Sequence, residues 1–571
     1  MTYQAPVTEL LFVLNGVLGA ERLAATDRYA EATVETSEAI LKEAAKLAEE
    51  VLAPVNRLGD LHPARLENGV VRCSPGFSEA HGAVAEGGWI GMNADPTHGG
   101  MGLPMTLTAS VAEMMNSANM ALTLIPLLTQ GQIEALETHA SDEIKRLYLP
   151  KLTSGVWNGT MNLTEPQAGS DVGALTSRAE PVGDGTYRIF GQKIYITWGD
   201  NDICENTCHL VLARLPGAPA GTKGISLFLV PKFIPDENGN PGPRNGLRVI
   251  GLEHKLGLHG SPTCTMEFDG ATGWMIGPEN GGMAAMFTMM NNARLGVGVE
   301  GVGIAERALQ ESLAFARDRR QGRPVIADGT GAIIDHADVR RMLMTMKAMT
   351  QAARAICLDT ALSIDMAKAT AAEAWSARAA FLTPIAKAFA TDVGSEVADL
   401  AIQVHGGMGF VEETGVAQLA RDVRVARIYE GTNGIQAMDL VGRKLMDQGD
   451  AAEALLGEIE ETAKAAQERF TDLADLLQEA GECLAETLRW MIEAGMNDRF
   501  AGATPFLRAF GLTLGGHYLL KAALVDGSPD RAALAAFHAR QIMPQVDALC
   551  RAAREGSAPL YAIDPEAFAA S

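Results

Sequence analysis

The sequence predicts a mainly α-helical protein with a β domain set into its middle and a further helical domain at its C-terminus. Three observations carry this. Near the start, Ala39, Ile40, Ala44, Leu47, Ala48 and Val51 recur at i, i+3 and i+4, the period of a helix with one buried face. Between Gly159 and Asp269 that period gives way to short β-branched runs separated by turns. Beyond Met283 long helical patterns return and persist to Arg554.

A chain of 571 residues has room for three or four domains. The expected division is an N-terminal extension at 1–32, a helical domain at 33–158, a β domain at 159–278, a helical bundle at 279–446 and an extra acidic helical domain at 447–571. With 47% hydrophobic and 20% charged residues, the composition is that of a soluble globular protein. A net charge of −23 argues against nucleic acid or an anionic membrane as partner, because both attract basic surfaces. Seven scattered cysteines do not form a disulfide framework, so a reducing cytoplasm is expected. Cys204, Cys208 and His209 cluster, but no second ligand pair follows at zinc spacing, and no metal site is expected. Met1–Ala20 carries Glu9 in place of a positive n-region, which speaks against a signal peptide. No apolar run approaches the roughly 20 residues of a membrane span.

Taken in order, the leader Tyr3–Arg28 is expected to be partly helical, and Thr33–Val51 forms an amphipathic helix that Pro54 ends. Gly87–Gly91 and His98–Pro104 are turn clusters. Met105–Leu128 and Gln130–Tyr148 read as two helices. The runs Tyr187–Phe190, Lys193–Thr197, His209–Ala213, Ile225–Val230 and Thr263–Phe268 read as strands of a compact antiparallel domain. Gly296-Val297-Gly298-Val299-Glu300-Gly301 satisfies G-x-G-x-x-G, yet a helical pattern precedes it where a dinucleotide fingerprint needs a strand. Small residues there let helices pack closely. Helices follow at Gly303–Arg320, Val339–Thr370 and Ala374–Val404. The tail is helical in pattern at Ala451–Ala494, Pro505–Val525 and Arg531–Arg554. It holds 20 Asp and Glu against 10 Lys and Arg from Asp447 to Glu566, the wrong sign for binding DNA.

The candidate chemistry centres on Arg427-Ile428-Tyr429-Glu430-Gly431-Thr432-Asn433-Gly434-Ile435-Gln436. Glu430 is an acid at a glycine-marked helix boundary with apolar neighbours. Buried there, it would have the raised pKa of a general base working near neutrality; solvated, it would be an ordinary acid at a helix end. A second stretch, Met161-Asn162-Leu163-Thr164-Glu165-Pro166-Gln167-Ala168-Gly169-Ser170-Asp171, is a turn that exposes N–H groups and hydroxyls suited to pyrimidine-like edges and phosphates. Read alone, it is equally an acid-rich turn.

These stretches, in this order, resemble the acyl-CoA dehydrogenase family. I-Y-E-G-T-N-G-I-Q is similar to its catalytic segment and T-E-P-x-A-G-S-D to its flavin turn. Lys193-Ile194-Tyr195-Ile196-Thr197-Trp198-Gly199 resembles its K-x-W-I-T-N-G strand, with Tyr195 in place of Trp and Trp198 in place of Asn. Gln403-Val404-His405-Gly406-Gly407-Met408-Gly409-Phe410 is similar to its Q-x-x-G-G-x-G loop. The resemblance implies the family fold: helical domain, β-barrel domain and four-helix bundle. It also implies FAD as cofactor, an acyl-CoA substrate, an electron-transfer flavoprotein as acceptor and a homo-oligomer, with a dimer favoured over a tetramer. Carried over, Glu430 is the base that takes the α-proton, with Arg294 beside it and Gly431 and Ser170 at the acyl-CoA. Met161, Leu163, Thr164, Tyr195 and Thr197 flank the flavin, although an aromatic in an alternating strand is commonly core. Arg319, Gln403, Gly406 and Gly407 meet the FAD of a neighbouring subunit, and Thr432 lies near its adenosine end. Some branches place their base where this chain has Ala293, which leaves Glu430 for that role. Leader, length and tail together resemble the 3-methylmercaptopropionyl-CoA dehydrogenase subgroup, which implies that substrate.

Overall fold

The computed structural model describes residues 3–326 and 328–569. Helix α1 (Val34–Lys46) starts where Thr33 accepts a hydrogen bond from the Thr36 N–H at 3.2 Å, a side-chain cap for an otherwise orphaned donor. Pro54 does not stop the helical path as expected. The backbone widens into a π-turn at Leu47–Leu52, and a new helix, Ala53–Leu61, begins with Pro54 in its first turn, where a missing N–H breaks no bond.

The two helices expected at Met105–Leu128 and Gln130–Tyr148 divide elsewhere. Helix α2 runs Met105–His139 with an internal break at Asn119 (φ −160°, ψ 83°), and α3 covers Asp142–Thr153. Asn119 is fully buried, and its side-chain oxygen accepts from the Leu122 N–H at 3.2 Å. A buried Asn thus caps a helix in mid-path, competing with the backbone for its own donors.

The main sheet of the β domain consists of β1 (Trp157–Asn162), β2 (Arg178–Pro181), β3 (Tyr187–Thr197), β4 (Asn206–Ala213), β5 (Ser226–Pro231), β6 (Leu247–Leu252) and β7 (Thr263–Ile276). Its order is β1-β4-β5-β7-β3-β2, with β6 pairing β7. The antiparallel expectation fails at one edge. β1 and β4 run parallel, Trp157 facing Asn206 through Asn162 facing Val211, because the T-E-P turn and the β2–β3 hairpin supply a long crossover between them. Long β7 joins the two halves, pairing β3 along its first part and β5 along its last.

Five α-helices follow among the described residues: α4 (Gly282–Asp318), α5 (Ala337–Thr370), α6 (Glu373–His405), a short one at Val416–Val423, and α7 (Asn433–Gly442). The glycine run lies inside α4. A Cβ on Gly298 would stand 2.8 Å from the Ala386 carbonyl oxygen, and one on Gly301 would stand 2.4 Å from that of Ala390. These glycines bring α4 and α6 to backbone contact, as the sequence reading of close packing anticipated. The bundle also buries an ionic cluster. Arg354 on α5 donates to Glu113 of α2 at 2.9 Å and to Glu306 of α4 at 2.7 Å, and it is wholly removed from solvent.

The C-terminal domain comprises α8 (Asp450–Ala466), α9 (Thr471–Glu493) and α10 (Met496–Asp526), followed by shorter helices. The single pattern expected over Ala451–Ala494 is interrupted at 467–470, and Pro505 sits inside α10. Helix α10 lies against α5, α6 and α7. Phe510 meets Phe381 edge-on at 5.2 Å, and Gly511 leaves room for the Phe389 ring. The leader is tied to the same domain. Arg531 grips Glu9 with two hydrogen bonds of 2.9 Å and stacks on Phe12, while Tyr3 is buried beside α2 and α4. Among the described residues no helix is long and apolar enough to cross a membrane.

Candidate active site

Glu430 sits on a turn between a 3-10 segment at Arg424–Arg427 and α7. Its φ is 55° and that of Gly431 is 84°. A left-handed glutamate is strained and persists where its surroundings over-determine it. Gln436 donates to the Glu430 carbonyl at 3.0 Å, and Lys387 of α6 donates to the Gly431 carbonyl at 2.8 Å and to Asn433 Oδ1 at 2.9 Å. Thr432 caps α7 by accepting from the Ile435 N–H at 3.3 Å. The Glu430 N–H itself has no partner among the described residues. Burial pushes the Glu430 carboxyl up to about 7, although Arg294 and Lys387 both pull it down.

Arg294 is buried on α4, and its nearest anionic partner is Asp439 of α7, at 3.6 Å. It therefore acts on Glu430 through its field and not through an ion pair. Its Nε is buried without a partner. Beside it opens a cavity of about 330 Å3, lined on one side by Thr288, Asn291 and Arg294 and on another by Thr383, Asp439 and Lys444. Ala293 is fully buried, so α4 offers no carboxylate at that position.

Sequence reasoning missed a second acid. Glu300, inside the glycine run, is fully buried and accepts a hydrogen bond from the Tyr429 hydroxyl. Its only signal was an acid in an otherwise apolar and small-residue helical stretch. Burial pushes Glu300 up to about 8 and brings Lys387 down to about 8. Lys387 was missed as well, because a single Lys in an alanine-rich helix carries no signal of its own.

In the β domain the flavin-motif residues gather around another missed pair. Fully buried Lys193 bonds Glu165 at 2.8 Å and the Leu163 carbonyl at 2.9 Å, while the Ile194 N–H bonds the Thr164 carbonyl at 2.9 Å. Glu165 also accepts from the Thr176 and Ser177 N–H groups. Burial opposes its charge, but Lys193 and these donors outweigh it and hold Glu165 down at about 2. The acid of the T-E-P turn is thus an anchor that sets Leu163 and Thr164 against β3. Met161 lies on β1, and Thr197 faces Thr263 on β7. Tyr195 occupies a bulge in β3 with φ 61° and is 60% exposed, so the core placement is excluded for it. Trp198 takes the core position, donating to the Ala121 carbonyl at 3.1 Å. Ser170 is exposed in the loop that follows Glu165. The loop after β6 joins this site to the Glu430 segment, since the Leu258 N–H bonds buried Asp422 at 2.6 Å.

The remaining candidates lie elsewhere. Arg319 caps the far end of α4, about 37 Å along that helix from Arg294 at 1.5 Å per residue. Gln403, Gly406 and Gly407 adjoin the same end, where His405 stacks on Phe315 at 4.3 Å. Phe410, next to this loop, is 88% exposed. The structure therefore sets Arg319 and the Gln403–Gly407 loop at the end of α4 away from Arg294.

Four family models match the chain. They are the acyl-CoA dehydrogenase N-terminal domain at residues 34–156, its middle domain at 160–271, its C-terminal domain at 280–446, and the acetyl-CoA dehydrogenase C-terminal like domain at 455–564. A 3-methylmercaptopropionyl-CoA dehydrogenase of Ruegeria pomeroyi is 45% identical over 90% of this chain and 89% of its own. A butyryl-CoA dehydrogenase of Syntrophomonas wolfei is 39% identical over 72% and 71%. In fold, the chain is similar to an acyl-CoA dehydrogenase complexed with FAD from Bacillus anthracis, with a TM-score of 0.76 at 20% identity over 93% of this chain and 90% of that one.

Proposed function

Because this chain belongs to the acyl-CoA dehydrogenase family, we propose that it oxidises the α,β bond of 3-methylmercaptopropionyl-CoA to methylthioacryloyl-CoA, with FAD as cofactor and Glu430 as base. The observation that carries the base assignment is the Glu430 carboxyl itself, half-buried on a strained turn and pushed up to about 7 by desolvation against the pull of Arg294 and Lys387. The substrate reading rests on the Ruegeria pomeroyi relative.

The residues present suit a flavin. Tyr195 stands clear of the core on a bulge, and a Cβ on Gly406 or Gly407 would meet nothing within 4 Å. Met161, Leu163, Thr164, Tyr195 and Thr197 would hold its ring system. The distant group of Arg319, Gln403, Gly406 and Gly407 would hold the diphosphate of the flavin of a second copy, and Thr432, beside Glu430, would lie near an FAD adenosine end. The distant group adjoins exposed Phe410, which supports a subunit contact there; we read the protein as a homodimer. On this reading 279–446 carries base and dimer contacts, 159–278 the flavin face, 33–158 the helical cover, and 1–32 and 447–571 a brace behind the bundle.

A bound flavin supplies the acceptor for the β-hydrogen, taken as hydride. The chain's own contribution is to the proton. Glu430 removes it from the α-carbon, and a raised pKa gives the carboxylate a basicity matched to neutral pH. The unpartnered Glu430 N–H is available to the thioester oxygen, where negative charge develops. Gly431 and Ser170 would contact the substrate. Electrons would leave to an electron-transfer flavoprotein; a peroxide yield under air that accounts for every turnover would favour an oxidase instead.

Two results are expected. The rate of flavin reduction rises with pH through about 7, because the base works ionised and a carboxyl raised by burial is neutral below that point; a flat profile from pH 5.5 to 8.5 in stopped-flow reduction would contradict the assignment. In anaerobic titrations the flavin band bleaches fastest with 3-methylmercaptopropionyl-CoA, compared with butyryl- and palmitoyl-CoA. Faster bleaching by either of the others would reassign the substrate and leave the reaction class standing.

A further inference from the structure

We propose that Glu300, through the Tyr429 hydroxyl, is the positioning residue that holds the strained turn on which Glu430 works. This rests on the reading of Glu430 as the base.

Glu300 makes no ion pair among the described residues, although it is wholly buried. Its hydrogen bond is to Tyr429, and its Oε1 has no partner. Nothing in the packing of α4 and α6 requires an acid at this place: the neighbouring glycines make the helix contact. A buried carboxyl with one hydrogen bond is costly to a fold, and what it does hold is the side chain immediately before Glu430. Lys387 ties the other side of the turn at Gly431 and Asn433, and Gln436 ties the Glu430 carbonyl. Residues 429, 430 and 431 are therefore each fixed separately, with Glu300 responsible for the first. A left-handed non-glycine backbone needs this kind of over-determination.

The arrangement also has a charge requirement. Facing Glu300 are Tyr429 and Glu430 from the turn and Lys387 from α6, while Arg294 on its own helix and Asp392 bear on the same group through Glu430 and Lys387. A neutral Glu300 accepts from Tyr429 through its carbonyl oxygen and sets no like charge against Glu430. Ionised Glu300 would set like charge against Glu430 and disfavour the carboxylate that has to act. Burial favours the neutral form up to about pH 8, so glutamine should imitate the working state.

The test uses full-length, flavin-loaded E300A, E300Q and Y429F, with amide hydrogen exchange of the segment 426–437 read beside pre-steady-state flavin reduction by 3-methylmercaptopropionyl-CoA. E300A and Y429F should exchange that segment about tenfold faster. They should also lose about tenfold or more in kcat with little change in KM, because the base is misplaced and not removed. E300Q should restore both at pH 7 and lack the inflection near pH 8 that the wild-type rate profile is expected to show. Wild-type exchange in E300A and Y429F overturns the proposal, whatever their rates, and so does an E300Q that behaves as E300A does. Faster exchange at an unchanged rate would uphold the positioning of the turn and discard Glu430 as base. Should E300A not fold, Y429F removes the same hydrogen bond and decides by the same readouts.

Discussion

Replacing Glu430 by glutamine leaves a folded, yellow protein whose flavin none of the acyl-CoA thioesters reduces at a useful rate; the expected loss is about 10³-fold or more, within the range for removal of a general base. Glutamine keeps the length and the hydrogen-bonding oxygen of the side chain but accepts no proton at neutral pH. The fold has no reason to suffer. Burial raises the Glu430 carboxyl to about 7, so above that pH the native state carries a charge it would favour less than the unfolded chain does. E430Q should therefore melt no lower than wild type, and higher at pH 8. Loss of reduction together with a lowered melting temperature would mean that Glu430 braces the turn, and a fully active variant would remove it from the mechanism. Stopped-flow reduction and a melt at pH 6 and pH 8 separate these outcomes.

Replacing Arg354 by methionine is the largest stability change expected of a single side chain here, costing about 3–5 kcal/mol because it strands buried acids. Arg354 holds Glu113 and Glu306 together where α2, α4 and α5 meet. Burial alone would weaken its charge, but the two carboxylates outweigh that and hold the guanidinium well above its usual range. Without it, both carboxyls would be pushed upward, so the deficit should grow as pH rises from 5 to 8 and shrink as they protonate. Thermal melts at those two pH values test this; a deficit independent of pH would show that packing of the Arg354 stem, and not its charge, holds the junction. The leader enters here as well, since Tyr3 is buried beside Glu113, Glu306 and Arg354.

Much of the fold was legible because helices and strands announce themselves by period. The long helices α5 and α6 lie within two residues of their expected bounds, and all five runs expected as strands fall wholly or largely in β3, β4, β5 and β7. The misses share a cause. Asn119 looks like any polar residue within a helical pattern until burial turns its side chain into a cap, and Pro54 reads as a stop until a second helix starts on it. The parallel pairing of β1 with β4 is a matter of which strands meet, and period says nothing about that.

The candidate site divides along the same line. Glu430, Gly431 and the T-E-P turn stood out because their residue types are unusual at their spacing, and their order along the chain matched one family. By itself the sequence determined the helical and β segments, the acidic surface charge, the family, and a single acid at a glycine-broken helix boundary. Only the tertiary structure decided what surrounds that acid. It brought Arg294, Lys387 and Glu300 around one turn from two helices, made Glu165 an anchor for Lys193, and left Tyr195 exposed where Trp198 fills the core. It also set Arg319 and Gln403 at the end of the bundle away from Arg294. A pKa depends on burial and on charges within a few ångströms, and those neighbours lie tens to hundreds of residues apart in the chain, where no local pattern records them.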